Sequence, residues 1–190
     1  MVRAFIAIPI DEQTRHELVS VQSLLLSTSA KLKLVEPENL HLTLKFLGEV
    51  GEEKIGEIEE ALKKTMLGVK KFKMEVKGLG AFPGFRYLRV LWAGINQGKN
   101  EVIELQRKID FSLQPLGFRP ERNFHPHVTI ARVKFVRNRG ELIAFIKDAA
   151  NKKFGAVEVK RIDLMKSTLT RSGPVYTTLS EIELETGHET

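Results

Sequence analysis

The stretch His41-Leu42-Thr43-Leu44 decides the fold, because it returns as His127-Val128-Thr129-Ile130, 86 residues further along the chain. Each copy alternates polar and apolar residues, which is the pattern of a strand with one buried face. Side chains at i and i+2 of a strand share a face, so each copy presents an imidazole and a hydroxyl together. The sequence therefore predicts two similar strands, each carrying a histidine–threonine pair.

The same offset of 86 residues relates the elements around the two motifs. Apolar periodicity predicts strand, helix, strand, helix and strand in each of two units, about 1–86 and 87–170. The first unit has strands over 3–8, 40–47 and 72–76, a helix capped by Asp11 and a helix over 52–67. The second has strands over 89–94, 126–132 and 157–164 and helices over 99–115 and 139–150, and a last strand covers 175–184. We expect residues 1–190 to form one domain of two pseudo-symmetric α+β lobes that face each other across a central cleft.

Composition places the chain among ordinary globular proteins, with 42% hydrophobic and 28% charged residues. No apolar run approaches the ~20 residues that a membrane helix needs, and the first residues read as a strand rather than a signal, so we expect a cytoplasmic protein. Cysteine is absent, which excludes disulfides, thiolate catalysis and cysteine-ligated zinc. The many Lys, Arg and Glu residues fit a heat-adapted source.

Two histidine–threonine pairs that meet across a cleft suit displacement at a phosphorus atom. One imidazole can take a proton from the attacking oxygen while the other protonates the leaving oxygen, because the histidine pKa of about 6.5 lies near neutrality. The hydroxyls of Thr43 and Thr129 can donate to the non-bridging oxygens. A net charge of +6 and a pI near 9.5 favour a polyanionic partner such as nucleic acid.

The motifs and the runs around them resemble the two-histidine phosphoesterase superfamily, and within it the RNA 2′,3′-cyclic phosphodiesterases, also called 2′-5′ RNA ligases. The resemblance spans nearly the whole chain. It is carried by RAFIAI at 3–8, NLHLTLKFLGEV at 39–50, FHPHVTIAR at 124–132 and GPVY at 173–176.

This resemblance implies a bilobal α+β fold with antiparallel-rich sheets and helices packed on the outer face. It implies that the terminal 2′,3′-cyclic phosphate of an RNA is opened to a 2′-phosphate, with His41 as proton donor to the leaving O3′ and His127 as proton acceptor from water. The same site run backwards would join ends through a 2′-5′ linkage. The implied partners are RNA ends such as tRNA halves or oligonucleotides, bound by a monomer without a metal or cofactor.

Arg132 directly follows the second motif and could bind the phosphate bidentately, although strict alternation points it away from His127 and Thr129. Two basic runs could follow an RNA backbone, or could be solvated surface. They are Lys71, Lys73 and Lys77, and Arg132, Lys134, Arg137 and Arg139. Four aromatic residues could include one that stacks on a base, although aromatic residues at strand spacing are more often core. They are Phe82, Phe85, Tyr87 and Trp92.

His125 leaves two alternatives open. Together with His41 and His127 it could form a three-histidine zinc site of a phosphohydrolase, although that gives no role to the threonine in each motif. The simpler interpretation of His125 is a structural residue that bonds to nearby backbone, and His16 and His188 are interpreted as solvated. A third hypothesis, supported by the basic surface alone, is an RNA-binding module without catalysis.

Overall fold

The computed structural model describes residues 1–185, so His188 lies outside the described residues. The strands are β1 (Val2–Pro9), β2 (Ala30–Leu34), β3 (His41–Val50), β4 (Phe72–Gly84), β5 (Tyr87–Ile95), β6 (His127–Val136), β7 (Lys153–Val159), β8 (Arg161–Thr170) and β9 (Gly173–Glu183). The helices are α1 (Glu12–Leu25), α2 (Glu52–Met66), α3 (Lys99–Leu113) and α4 (Arg139–Asp148), with 3₁₀ turns at Pro37–Asn39 and Gln114–Leu116. None of the helices in this range is long and apolar enough to cross a membrane.

The nine strands of the described chain form one antiparallel sheet, with the order β7-β4-β5-β6-β3-β1-β8-β9 and with β2 added beside β6. The two motif strands are neighbours at its centre, where Leu42 pairs with Val128. One lobe lies on each side of this pair. The predicted α+β fold with two antiparallel lobes is confirmed.

The two sequence units are interleaved in space. β4, the last strand of the first unit, pairs with β5, whereas β8 from the second unit pairs with β1. In the same way α1 packs against β7, and α3 packs against α2. Each lobe therefore contains elements from both halves of the chain, and neither half has its full set of neighbours without the other.

Two details of the sheet differ from the sequence prediction. β2 was not predicted, although Lys31 and Lys33 alternate with Leu32 and Leu34 over this short strand. The single strand predicted over 157–164 is two strands, since β7 ends at Val159 and β8 starts at Arg161. β7 lies at the edge of one lobe and β8 lies in the other.

Local chemistry explains where the helices begin and which side they bury. The Asp11 carboxylate accepts a hydrogen bond of 2.7 Å from the backbone N–H of Thr14, which caps the first turn of α1. α2 carries Glu52 and Glu53 in its first turn and lysines in its last, as the helix dipole favours. Its buried residues, Ile58, Leu62 and Met66, recur at helical spacing and join the core.

The motif strands separate the core from an open face of the sheet. Leu42, Leu44, Val128 and Ile130 are fully buried on the helix-covered face. The histidines and threonines between them are half-buried on the opposite face, which we call the open face. The period of two in each motif therefore sets which residues are available for chemistry.

Candidate active site

The pairing of Leu42 with Val128 brings the two polar pairs together. In antiparallel strands, the neighbours of a directly opposed pair also oppose each other. Continued by one residue in each direction, this register brings His41 toward Thr129 and Thr43 toward His127 on the open face. Two imidazoles and two hydroxyls thus form one cluster.

Both imidazoles are oriented by the backbone just before their own strand. His41 Nδ1 lies 2.6 Å from the carbonyl oxygen of Asn39, and His127 Nδ1 lies 2.6 Å from the carbonyl oxygen of His125. A carbonyl only accepts hydrogen bonds, so Nδ1 is the protonated nitrogen of each neutral ring. This tautomer leaves Nε2 of both rings as the atom for proton transfer.

The surroundings of the rings lower both pKa values. Burial lowers the pKa of His41, the hydrogen bond to Asn39 partly opposes that effect, and the positive charge of His127 lowers it further. Burial also lowers the pKa of His127, the bond to His125 opposes it, and the charge of the His125 ring adds to the lowering. His127 is close enough to act on His41 electrostatically, as one shared site requires.

Aromatic side chains border each histidine. The Phe5 ring stacks on His41 with centroids 5.0 Å apart, and Tyr176 meets His41 edge-on at 5.4 Å. Phe82 meets His127 edge-on at 4.9 Å, and the Trp92 centroid lies 6.3 Å from that ring. These apolar walls exclude water from one side of each imidazole, which accounts for the lowered pKa values.

The aromatic residues predicted from the sequence form only part of this border. Phe82 and Trp92 contact the site, whereas Phe85 and Tyr87 are exposed at the β4–β5 hairpin. Phe5 was not predicted as a site residue. The available signal was alternation in β1, where Phe5 stands among apolar residues but does not share the face of Ile6.

The aromatic border of His127 depends on a glycine. A Cβ atom built on Gly80 would lie 2.2 Å from Cζ2 of Trp92, so the indole ring occupies the space beside this backbone. Gly80 pairs with Trp92 across β4 and β5. The absence of a side chain at Gly80 therefore makes room for the indole ring.

A β-bulge determines where Arg132 points. Thr129 pairs with Trp92 and Ala131 pairs with Leu91, so β6 has one extra residue at this point. Ile130 and Ala131 are consequently both buried, and Arg132 is exposed opposite Val90. Val90 itself pairs with Phe82, a wall of the His127 site. The bulge thus moves Arg132 to the open face, where strict alternation would not have placed it.

The same irregularity occurs in β3, at the equivalent position of the repeat. Thr43 pairs with Ala7 and Lys45 pairs with Ile6, so Lys45 turns inward and Phe46 turns out. Phe46 is 74% exposed and its ring centroid lies 6.2 Å from that of Phe5. The open face therefore carries an exposed ring in one lobe and a guanidinium at the equivalent place in the other.

Lys45 is buried with a matching carboxylate. Its Nζ forms an ion pair with Asp110 of α3 and donates to the carbonyl of Arg119 at 2.8 Å. The other Asp110 oxygen accepts from Gln106 Nε2 and from the N–H of Glu121, both at 2.8 Å. A buried charge is tolerated when it is paired in this way. The network ties the strand of His41 to the loop that leads to His127.

The three-histidine zinc site has no counterpart in residues 1–185, where no three His, Asp or Glu side chains are grouped so that they could hold a metal ion. The His125 side chain is exposed, with its ring 6.3 Å from that of Phe82. Its backbone carbonyl holds His127, whereas no hydrogen bond of the His125 side chain to nearby backbone is found in the described residues. His16 is exposed on α1.

Sequence comparison identifies relatives over nearly the whole chain. A family model described as LigT like Phosphoesterase matches residues 8–92 and again 94–176. The chain is 42% identical over 183 residues to an RNA 2′,3′-cyclic phosphodiesterase of Methanothermobacter thermautotrophicus, which covers 96% of this chain and 99% of the relative. It is also 42% identical over 180 residues to one of Methanocaldococcus jannaschii, which covers 95% and 99% of the two chains.

Solved structures share this fold over nearly the whole chain. TT0787 of Thermus thermophilus superposes with a TM-score of 0.80 at 28% identity, covering 98% of this chain and all of that one. Escherichia coli LigT complexed with 3′-AMP gives a TM-score of 0.77 at 25% identity and covers 96% and 98%.

Proposed function

This chain belongs to the LigT-like phosphoesterase family, as its motifs predicted, and on that premise we propose that it hydrolyses RNA 2′,3′-cyclic phosphates to 2′-phosphates with two histidines and no metal. One observation carries the proposal. His41 and His127 lie on adjacent strands with each Nδ1 held by a carbonyl, and this leaves both Nε2 atoms for proton transfer.

In the proposed reaction, Nε2 of neutral His127 accepts a proton from water while the water oxygen attacks phosphorus. The bond from phosphorus to O3′ breaks, and O3′ takes the proton from Nε2 of protonated His41. The products are a 2′-phosphate and a 3′-hydroxyl, and the two histidines exchange protonation states with solvent before the next turnover. Each acid or base typically contributes ~10²–10⁴ in rate.

The substrate supplies part of the charge that this scheme needs. Burial holds the pKa of His41 below its usual value in the free protein, which disfavours the protonated donor. A bound cyclic phosphate places a negative charge beside the ring and raises the pKa again. His41 therefore gains its proton when the substrate arrives.

The remaining polar groups of the site would bind the phosphate. Thr43 Oγ1 lies 2.7 Å from His41 Nε2, and Thr129 directly follows Val128, the register partner of Leu42. Both hydroxyls can donate to non-bridging oxygens as their charge increases in the transition state. Arg132 extends from the open face just beyond Thr129, and its planar guanidinium can donate two hydrogen bonds to one phosphate.

The same site permits the reverse reaction. With a ribose 5′-hydroxyl bound in place of water, His127 would take the proton of that hydroxyl, and a 2′-5′ linkage would form as the cyclic phosphate opens. Acid–base roles in the two directions are related by microscopic reversibility. A monomeric state, tRNA halves as substrates and a cytoplasmic location stay predictions from the sequence.

The test is incubation of an RNA bearing a terminal 2′,3′-cyclic phosphate with the protein in excess chelator. We expect conversion to the 2′-phosphate, identified against 2′- and 3′-phosphate standards. Loss of activity in chelator would contradict the metal-free mechanism, and a 3′-phosphate product would contradict the assignment of O3′ as leaving group. Tight binding of the RNA without any turnover would favour the RNA-binding module instead.

A further inference from the structure

We propose that Lys33, together with the N–H donors of Arg132 that the cyclic phosphate does not use, forms a second anion subsite, which binds a phosphate of the RNA backbone on the 5′ side of the cyclic nucleotide. The inference rests on the proposed function and narrows its substrate class. The preferred substrate is an oligoribonucleotide that ends in the cyclic phosphate, not a cyclic mononucleotide.

The register of β2 and β6 places the two cations side by side. Lys33 pairs directly with Arg132, so both side chains point to the same face, with Cβ atoms about 4.5–5.5 Å apart in regular geometry. Both residues are exposed. The bulge in β6 makes this the face of His127, because Arg132 lies opposite Val90 and Val90 lies opposite Phe82. The cationic pair and the catalytic pair therefore belong to one continuous surface.

Lys33 also reaches toward the other lobe. A Cβ atom built on Gly173 would lie 3.7 Å from Lys33 Nζ, so this ammonium group sits at the turn between β8 and β9. That turn leads into Tyr176, whose ring meets His41. Burial raises the pKa of Tyr176, and the positive charges of Arg132 and Arg3 partly oppose that effect, so both guanidinium groups act on the same border. An RNA strand that extends from the two histidines past Arg132 would therefore reach Lys33 next.

The charges of this pair are not compensated. Like charges that are directly opposed across strands destabilise a sheet. Within residues 1–185 neither Lys33 nor Arg132 lies within 4.0 Å of a carboxylate. An arrangement of two adjacent cations on an exposed strand pair favours an anionic ligand that bridges them.

The other basic run provides the contrast. Lys73 stands opposite Glu158 in the register of β4 and β7, and Lys77 stands opposite Lys153, which forms an ion pair of 2.9 Å with Glu75. Acidic residues thus lie among the lysines of this run, whereas neither Lys33 nor Arg132 stands opposite an acidic residue. Of the two basic runs, the run that begins at Arg132 is therefore the one suited to a polyanion.

The experiment compares kcat/KM on three substrates of one base sequence: a 2′,3′-cyclic mononucleotide, a dinucleotide and a pentanucleotide, each ending in the cyclic phosphate. We expect the wild-type protein to prefer the dinucleotide and pentanucleotide over the mononucleotide. Lys33→Gln should lose roughly tenfold more on the dinucleotide than on the mononucleotide, as expected for one charge-assisted hydrogen bond to a phosphate. It should also reduce the slope of log(kcat/KM) against log[salt] by about one on the oligonucleotides.

Lys73→Gln is the matched control, because it removes the same charge from the other basic run, at a lysine that stands opposite Glu158, and should keep the wild-type preference. Lys33→Arg should retain the preference as well. Equal activity of the wild-type protein on all three substrates, or equal losses of Lys33→Gln on all three, would overturn the subsite while the proposed function stands. Failure of the wild-type protein to open any cyclic phosphate would instead reject the proposed function.

Discussion

His41 and His127 occupy equivalent positions of the repeat but not equivalent surroundings. His41 stacks on Phe5, and its Nε2 lies 2.7 Å from the hydroxyl of Thr43. His127 meets Phe82 only edge-on, and in the described part of the chain its Nε2 forms no hydrogen bond with protein. One motif has therefore produced one shielded imidazole with a hydroxyl partner and one imidazole that is free to accept.

This difference supports a division of roles between two identical side chains. When environments differ around a pair of titratable groups, one can serve as acid and the other as base at the same pH. An unbonded Nε2 suits the group that accepts a proton from water. A ring held by stacking and by Thr43 suits the group that delivers a proton to a fixed leaving oxygen.

Removing either imidazole has the largest expected effect on activity, because both are proposed to transfer a proton. His41→Ala and His127→Ala should each lower kcat on the cyclic phosphate of RNA by roughly 10²–10⁴. His16→Ala, which removes an exposed histidine from α1, is the control and should keep wild-type rates. Because the two groups act in one step, the double variant should lose much less than the product of the single losses.

A change of leaving group separates the two roles. With bis(p-nitrophenyl) phosphate the leaving group needs no proton, so a missing donor matters less than a missing acceptor. We expect His41→Ala to retain a larger fraction of its activity on this probe than His127→Ala does. The opposite ranking would reverse the assignment of donor and acceptor, and equal losses would reject a division of roles.

The lobes also differ beneath the bulges, where Lys45 in one corresponds to Ala131 in the other. Asp110→Asn removes the carboxylate and leaves the Lys45 ammonium buried without its counter-charge. We expect the free energy of unfolding to fall by about 3–5 kcal/mol, as measured by urea denaturation at neutral pH. Glu104→Gln, which breaks an exposed ion pair of α3 with Lys108, should cost only ~0–1 kcal/mol. A similar small loss of unfolding free energy in both variants would show that the Lys45 side chain moves its ammonium group into solvent.

The sequence revealed the residues whose placement depends on local periodicity. Alternation in each motif set the face of its histidine and threonine, and the repeat identified the two strands as equivalent. The bulge at Ile130 and Ala131 could not be predicted, because an uninterrupted apolar run looks the same with or without an extra residue. That single irregularity decided whether Arg132 reached the open face.

Periodicity also could not predict which distant strands pair with each other. Nothing in the alternation of β4 or β8 specifies the lobe in which each strand lies, because a strand can bury one face equally well beside the neighbours of either lobe. β2 is a different case. Its alternation of Lys31 and Lys33 with leucines was visible, but five residues give too short a pattern to distinguish a strand from a loop.

A substitution at Gly80 tests whether the aromatic border of His127 matters for activity. In Gly80→Ala the new methyl group would meet the Trp92 ring at 2.2 Å, so the ring beside His127 must move. Overpacking of this kind typically costs 1–3 kcal/mol, and we expect a loss of about that size together with a reduced kcat on RNA. Gly84→Ala is the matched control in the same strand, because a Cβ there meets nothing within 4 Å. Equal effects of both variants would mean that Trp92 has no special link to the site.

The smallest expected effect concerns the electrostatic link between the two rings. Since the positive charge of His127 lowers the pKa of His41, His127→Ala should raise the pKa of His41 as followed by NMR of its ring protons. It should stay below its usual value, because burial is the larger cause and is retained. An unchanged His41 titration in His127→Ala would show that the imidazoles do not share one site.

The pH dependence of the wild-type protein tests the proposed roles. If His127 is the base and His41 the acid, kcat/KM should rise with pH as His127 loses its proton and fall as His41 loses its own. Both limbs should lie below about 6.5, since both pKa values are lowered from the ordinary histidine value. Because the two imidazoles are coupled, the pKa values of the two limbs describe the pair and not either residue alone.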